Sequence, residues 1–168
     1  MELNIRKQAE LLSYGISEEI IDHKKLVAWV DQVISESEKV ENWMIDISLS
    51  KKAELYKVEG ILGKLFGHCF EGSFTEFIAL MAYKVALAQI PVFDCYPVLT
   101  IAKDAIIMDQ SDIDSIVAKE LMEKLEDHVE KNHFNDESIE NATKKLKKLL
   151  SFAKNKHPEV FEFLHKFA

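Results

Sequence analysis

The sequence predicts an all-α fold, and three observations carry that expectation. Apolar residues recur at helical spacing in nearly every segment. Side chains suited to capping helices stand between those segments, and no alternating apolar and polar run exceeds about four or five residues. The architecture expected over residues 1–168 is a single-domain bundle of roughly seven or eight helices around an apolar central helix. A chain that is 48% hydrophobic and 30% charged, with only five Gly and three Pro, has the composition of a globular domain. A domain of this size hides about 68–70% of its unfolded surface.

A first short helix is expected around Glu2–Ser13, stopped by Gly15 in the left-handed conformation, with Ser17 capping a second short turn. Asp22 is placed to cap the next helix, in which Leu26, Trp29, Val30, Val33 and Ile34 share a face. Leu55, Val58, Leu62, Leu65 and Phe66 repeat the pattern after Ser50, a suitable N-cap. Gly60 and Gly63 interrupt that helix at a propensity cost of about 1 kcal/mol each, and their spacing suggests a close helix crossing. No strand precedes them and no Gly-Lys-Ser/Thr follows, so they do not read as a phosphate loop.

Ser73-Phe-Thr-Glu76 is a capping box, in which each side chain can satisfy the other's orphan backbone donor. The helix it opens, to about Ile90, is apolar almost all round and is expected to be the central one. Pro91 and Pro97 bracket a connector, and Val98–Met108 reads as the next helix.

Two long amphipathic helices follow. From Asp112 to about Asn132, Ile113, Val117, Leu121, Leu125 and Val129 are expected to line the buried face. In the second, Ile139, Ala142, Leu146, Leu149, Leu150 and Ala153 do so, and His157-Pro158 ends the helix. The short link Asn132–Asn135 favours an antiparallel pair. A last helix, Glu159–Phe167, offers Val160, Phe161, Leu164 and Phe167 to the core.

Two cysteines, Cys69 and Cys95, are too few for a disulfide scaffold or a cysteine-rich zinc site and read as buried free thiols. The opening MELNIRKQAELL lacks the uninterrupted apolar core of about 7–15 residues that a secretory signal needs. The most apolar stretch, Phe77 to Ala102, carries Lys84, Gln89, Asp94 and two prolines, which argues against a membrane span. A cytoplasmic location is expected. A net charge of −8 with a single arginine, Arg6, disfavours broad contact with nucleic acid or an anionic membrane.

Four constellations could carry chemistry. Glu130-Lys-Asn-His133 and Glu162-Phe-Leu-His165 both have the Glu-x-x-His spacing of a carboxylate-bridged di-metal bundle. Their faces lie off the apolar stripes, and residues 77–90 and 98–108 hold no glutamate to complete the set, so no metal or other cofactor is expected. His68 and Cys69 adjoin in sequence and diverge in space, and no nucleophile elbow accompanies them, so no catalytic residue is assigned. Phe70, Phe74, Phe77, Tyr83, Phe93 and Tyr96 gather around the central helix and could either line a small-ligand pocket or simply fill the core.

The fourth constellation is charge. Asp104 to Glu140 holds twelve carboxylates against three lysines, a net charge of −9, whereas Asn141 to Lys156 holds six lysines and no acid. The lysines complement the negative end of the last long helix. At 100° per residue, Asp112, Glu123, Glu126, Asp127 and Glu130 fall within an arc of about 100° opposite the expected apolar stripe, interrupted near its start by Ile116 and Lys119. Such a row is either a solvated face or a docking surface. A solvated face accounts for this row less well than for the lysines, because solubility alone does not require one-sign clustering, and both readings stay open.

The segments Leu11-Leu-Ser-Tyr-Gly-Ile-Ser17, Trp29-Val-Asp-Gln-Val-Ile34 and Ile45-Asp-Ile-Ser-Leu-Ser50 resemble a group of small helical bacterial proteins, some of them similar to immunity proteins encoded beside toxins. The resemblance covers the N-terminal third, with extra residues around Ile21–Lys25, and rests on caps and core positions, so it transfers no site residue. It implies a non-enzymatic module that binds a basic protein partner, here through the acidic helix face. The alternative is a small-ligand-binding or metal-dependent domain built on the aromatic-rich helix.

Overall fold

A helix starts where a side chain can accept the backbone N–H groups that its first turn leaves without carbonyl partners. Asn4 takes that role for Lys7, Asp22 for Lys24 and Ser73 for Glu76. The computed structural model describes residues 3–50, 55–66, 72–87, 89–106, 112–131 and 136–167. The described elements are α1 (Ile5–Ser17), α2 (His23–Glu36), α3 (Asn42–Ser48), α4 (Leu55–Phe66), α5 (Phe74–Ala86), a 3-10 turn (Val92–Asp94), α6 (Cys95–Ala105), α7 (Ile113–Lys131), α8 (Asp136–Lys156) and α9 (Pro158–His165). The described residues contain no strand, and no helix among them is long and apolar enough to cross a membrane. His68, Cys69, Phe70, His133 and the 132–135 link lie outside the described residues. Two compact units are present: residues 1–70 with 162–168, and residues 71–161.

In the first unit α1 packs on α4, α2 on α3 and α3 on α4. Leu11, Leu12 and Ile16 of α1, Leu26 and Val30 of α2, Ile47 of α3, and Val58 and Leu62 of α4 are buried. Trp29 meets the edge of Phe163 with centroids 5.9 Å apart and tilts against Phe167 at 5.5 Å. His23 is buried at the start of α2, where its Nε2 lies 2.9 Å from the Ser50 hydroxyl, which itself donates to the Ile47 carbonyl.

Gly15 does not stop α1, which runs on to Ser17; Ser17 accordingly ends this helix instead of capping another. The positive φ, 57°, falls on Glu19. Gly15 is needed for a different reason: the Ile21 side chain occupies the space a Cβ would fill, and the Ile21 N–H donates to the Gly15 carbonyl at 2.8 Å. Gly60 is also used differently from the crossing expected of it, since it is exposed with nothing near its missing Cβ.

In the second unit α5 is packed by α6, α7 and α8. Phe74, Thr75 and every residue from Phe77 to Tyr83 are buried. The capping box forms as expected, with Glu76 Oε2 accepting from the Ser73 N–H at 2.8 Å and Ser73 Oγ from the Glu76 N–H at 3.1 Å. The helix stops at Ala86, short of Ile90. Helix α6 begins at Cys95 instead of Val98, with Pro97 inside its first turn, where a missing N–H breaks no helical bond. Cys95 is a buried free thiol, and burial, reinforced by Asp94 and opposed by Lys84, pushes it up to about 11.

Helix α8 buries Ala142, Leu146, Leu149, Leu150 and Ala153, as its periodicity indicates, together with Ser138. It packs on α7, and the Lys156 ammonium near its end lies 2.9 Å from Asp114 near the start of α7, so the two helices run antiparallel. Helix α7 departs from expectation. Its buried residues are Ser115, Ala118, Met122, Leu125 and Val129, while Ile113, Val117 and Leu121 are 71%, 38% and 42% exposed. A row spaced strictly by four turns about 40° per step, so Ile113 cannot share a face with Val129; spacings alternating between three and four can stay on one side.

The two glycines give opposite expectations for urea unfolding. Gly15→Ala should lower the unfolding free energy by about 1–3 kcal/mol, because a methyl group overpacks against Ile21. Gly60→Ala should raise it by about 0.5–1 kcal/mol, because an exposed helical position has room for the methyl and gains propensity. Equal responses at the two positions would contradict the packing described for Gly15.

Candidate functional site

The five carboxylates expected to form one solvent row separate into three kinds of environment. Asp112 precedes α7, half-buried, and its Oδ1 accepts the Ser115 N–H at 3.0 Å, which makes it a helix cap. The Glu126 side chain is 17% exposed and holds the ammonium of buried Lys103 at 2.5 Å, with Asp104 at 3.6 Å from the same ammonium. Burial pulls the Lys103 ammonium down, but its bond to Glu126 and the charges of Glu126, Asp104 and Glu123 hold it above the ordinary lysine value. Glu123, Asp127 and Glu130 are exposed, and Asp127 forms a surface pair with Lys131 at 3.3 Å.

The acidic arc therefore flanks the buried stripe instead of standing opposite it, and Glu126 points partly inward, contrary to expectation. The outer surface of α7 also carries the exposed row Ile113, Val117 and Leu121, which sequence reasoning had assigned to the core. The charge signal was legible in the sequence. Of the five apolar residues expected on one buried face, Leu125 and Val129 are buried and Ile113, Val117 and Leu121 are not.

Among the described aromatic residues of the cluster, Phe74, Phe77 and Tyr83 belong to the core, and Phe93 and Tyr96 are half-buried beside it. Phe74 and Phe77 are buried, Tyr83 meets Phe161 edge-on at 5.3 Å, and Phe93 stacks on Tyr96 at 5.7 Å. An open groove of about 670 Å³ lies instead in the first unit, where Trp29, Val33, Gln8, Lys25, Glu36 and Lys166 contribute to its lining. Its walls carry charges of both signs without a convergent polar set. Of the Glu-x-x-His residues that are described, Glu130, Glu162 and His165 are all exposed.

A polar cluster that sequence reasoning did not assemble surrounds the first turn of α5. The Thr75 N–H, one of that turn's orphan donors, is directed at the Ser115 hydroxyl of α7 at 3.2 Å, and the two hydroxyls are also 3.2 Å apart. Thr75 Oγ1 lies 3.0 Å from Ser73 Oγ and 3.0 Å from His157 Nε2. The other ring nitrogen, Nδ1, lies 3.1 Å from Glu159 Oε1. One ligand atom from each of Glu76, His157 and Glu159 falls within 4.8 Å of the others, and all three side chains are half-buried. Each residue is visible in the sequence as part of a helix terminus, but Thr75 and His157 are 82 positions apart, and no local pattern indicates that they meet.

Compared with protein families, curated proteins and solved structures, the chain has no match.

The Lys103–Glu126 pair gives a direct test of the inward turn of α7. Glu126→Gln should lower the unfolding free energy by about 1.5–3 kcal/mol at neutral pH, the range for a hydrogen bond to a charged group. A lysine raised in the folded state adds stability below its unfolded value and loses it as pH climbs through the folded value. The gap between the two proteins in denaturant titrations should thus close as the pH passes above 10.5. A gap that stays constant through that range would separate Glu126 from Lys103.

Proposed function

We propose that the chain is a non-enzymatic protein-binding module that docks a basic partner on the outer face of α7 and blocks it by occupancy, as immunity proteins do. The observation that carries this reading is the combination on one rigid helix of an exposed apolar row, Ile113, Val117 and Leu121, with the exposed carboxylates Glu123, Asp127 and Glu130. Protein interfaces combine an apolar centre that excludes water with a charged rim that orients the encounter. Asp112 and Glu126 belong to the same arc but act there through cap and ion pair, so the docking set narrows to the other three acids. The groove beside Trp29 is the less favoured site, because nothing in its lining selects a ligand.

Charge and apolar contact affect binding at different stages, which makes the proposal testable by kinetics. The partner to use is the product of the adjacent reading frame, measured by surface-based association and dissociation rates. Reversal of Glu123, Asp127 and Glu130 to Lys should slow association by about 10-fold or more at low salt, with little change in dissociation. Val117→Ser with Leu121→Ser should instead accelerate dissociation, since buried apolar contacts determine residence time. Circular dichroism should stay unchanged in both, because these positions lie outside the buried stripe. Absence of binding by the wild type, or wild-type rates in both variants, would remove α7 as the docking face.

A further inference from the structure

We propose that Glu76, His157 and Glu159 form a binding site for one divalent first-row transition-metal cation, zinc in particular. The three residues come from the first turn of α5, the bend between α8 and α9, and the first turn of α9. Their ligand atoms already lie within 4.8 Å of one another. Zinc bonds to nitrogen and carboxylate oxygen are about 2.0–2.2 Å long, so side-chain adjustments of a few tenths of an ångström up to about 1 Å would bring the three atoms around one ion. Two carboxylates and an imidazole make a mixed oxygen and nitrogen set, which suits zinc and its neighbours better than calcium or magnesium. Half-burial leaves the remaining coordination positions open to water, the arrangement of an open zinc site.

The surroundings supply the outer contacts such a site requires. A metal-bound imidazole uses one nitrogen as ligand and donates the N–H of the other to a fixed acceptor. With Nδ1 on the cation beside Glu159, the ring proton sits on Nε2, and Thr75 Oγ1 at 3.0 Å accepts it. The Thr75 hydroxyl then turns its own proton to Ser115 Oγ or Ser73 Oγ, at 3.2 Å and 3.0 Å. Without the cation the same chain runs the other way, the Thr75 hydroxyl donating to Nε2 and the Nδ1–H to Glu159. Because a hydroxyl is both donor and acceptor, Thr75 can serve the ring in either state. Glu76 is held by the Ser73 N–H through Oε2 at 2.8 Å, which fixes the third ligand.

The test is calorimetric titration of the chelator-stripped full chain with zinc, and with cobalt, whose visible absorption reports coordination geometry. One zinc per chain is expected, with a thermal transition that rises on binding. His157→Gln, whose amide can still reach Thr75, and Glu159→Gln should each weaken binding by at least about 10-fold with the fold intact by circular dichroism. The exposed pair Glu162→Gln with His165→Ala should bind zinc as the wild type does. Failure of the wild type to bind zinc one to one would overturn the site, and so would wild-type affinity in Glu159→Gln or loss of binding in the Glu162 and His165 variant.

Discussion

Phe74, Thr75 and the unbroken run from Phe77 to Tyr83 are buried in α5, and residues of such a run point all round a helix, so this segment is stable in water only where other elements cover it. Helices α6, α7 and α8 supply the cover. Enclosing the helix also encloses its first turn, whose N–H groups have no intrahelical partner. The unit resolves this with Ser73 from the same stretch of sequence, which accepts the Glu76 N–H, and with Ser115 from far away, at which the Thr75 N–H is directed; His157 meets the Thr75 hydroxyl beside them. The polar cluster is thus a consequence of burying an apolar helix to its end.

The inward face of α7 meets the same first turn. To bring a hydroxyl to the Thr75 N–H, α7 must turn Ser115 inward, and the residues that follow at three and four positions are Ala118, Met122, Leu125 and Val129. A helix that commits to this face has to leave Ile113, Val117 and Leu121 outside. It also brings Glu126 to the edge of the core, where buried Lys103 meets it, and leaves Glu123, Asp127 and Glu130 in solvent. The face that buries Ala118, Met122, Leu125 and Val129 thus carries Ser115 to Thr75 as well, and it leaves a defined set of apolar and acidic side chains on the outside of α7.

Polar satisfaction and metal affinity draw on the same groups in the cluster. Carboxylates at the N-terminal ends of α5 and α9 are favoured there by the helix dipoles before any ion is considered. An imidazole between them can serve as hydrogen-bond bridge or as ligand, and the adjoining hydroxyls accommodate either role. In the first unit the comparable economy is steric, with Gly15 giving up a side chain so that Ile21 can close the turn after α1.

The sequence by itself determined the helical class and several helix ends, because the information for them is local: Asp22 and the Ser73–Glu76 box cap their helices, His157-Pro158 ends α8, and the α8 stripe from Ala142 to Ala153 is buried, whereas α3 carries no such signal and stays unassigned. It determined the acidic character of α7 as well, since charge is counted without coordinates. It did not determine which side of α7 faces inward, because apolar residues occur on two sides and α5, which packs against α7, lies far off in sequence, Thr75 being 40 positions from Ser115. Nor did it reveal Glu76, His157 and Glu159 as one site, because each is explained locally as a cap or a helix end. Only the tertiary structure decided those points, for the physical reason that they depend on distances between segments that no helical period encodes.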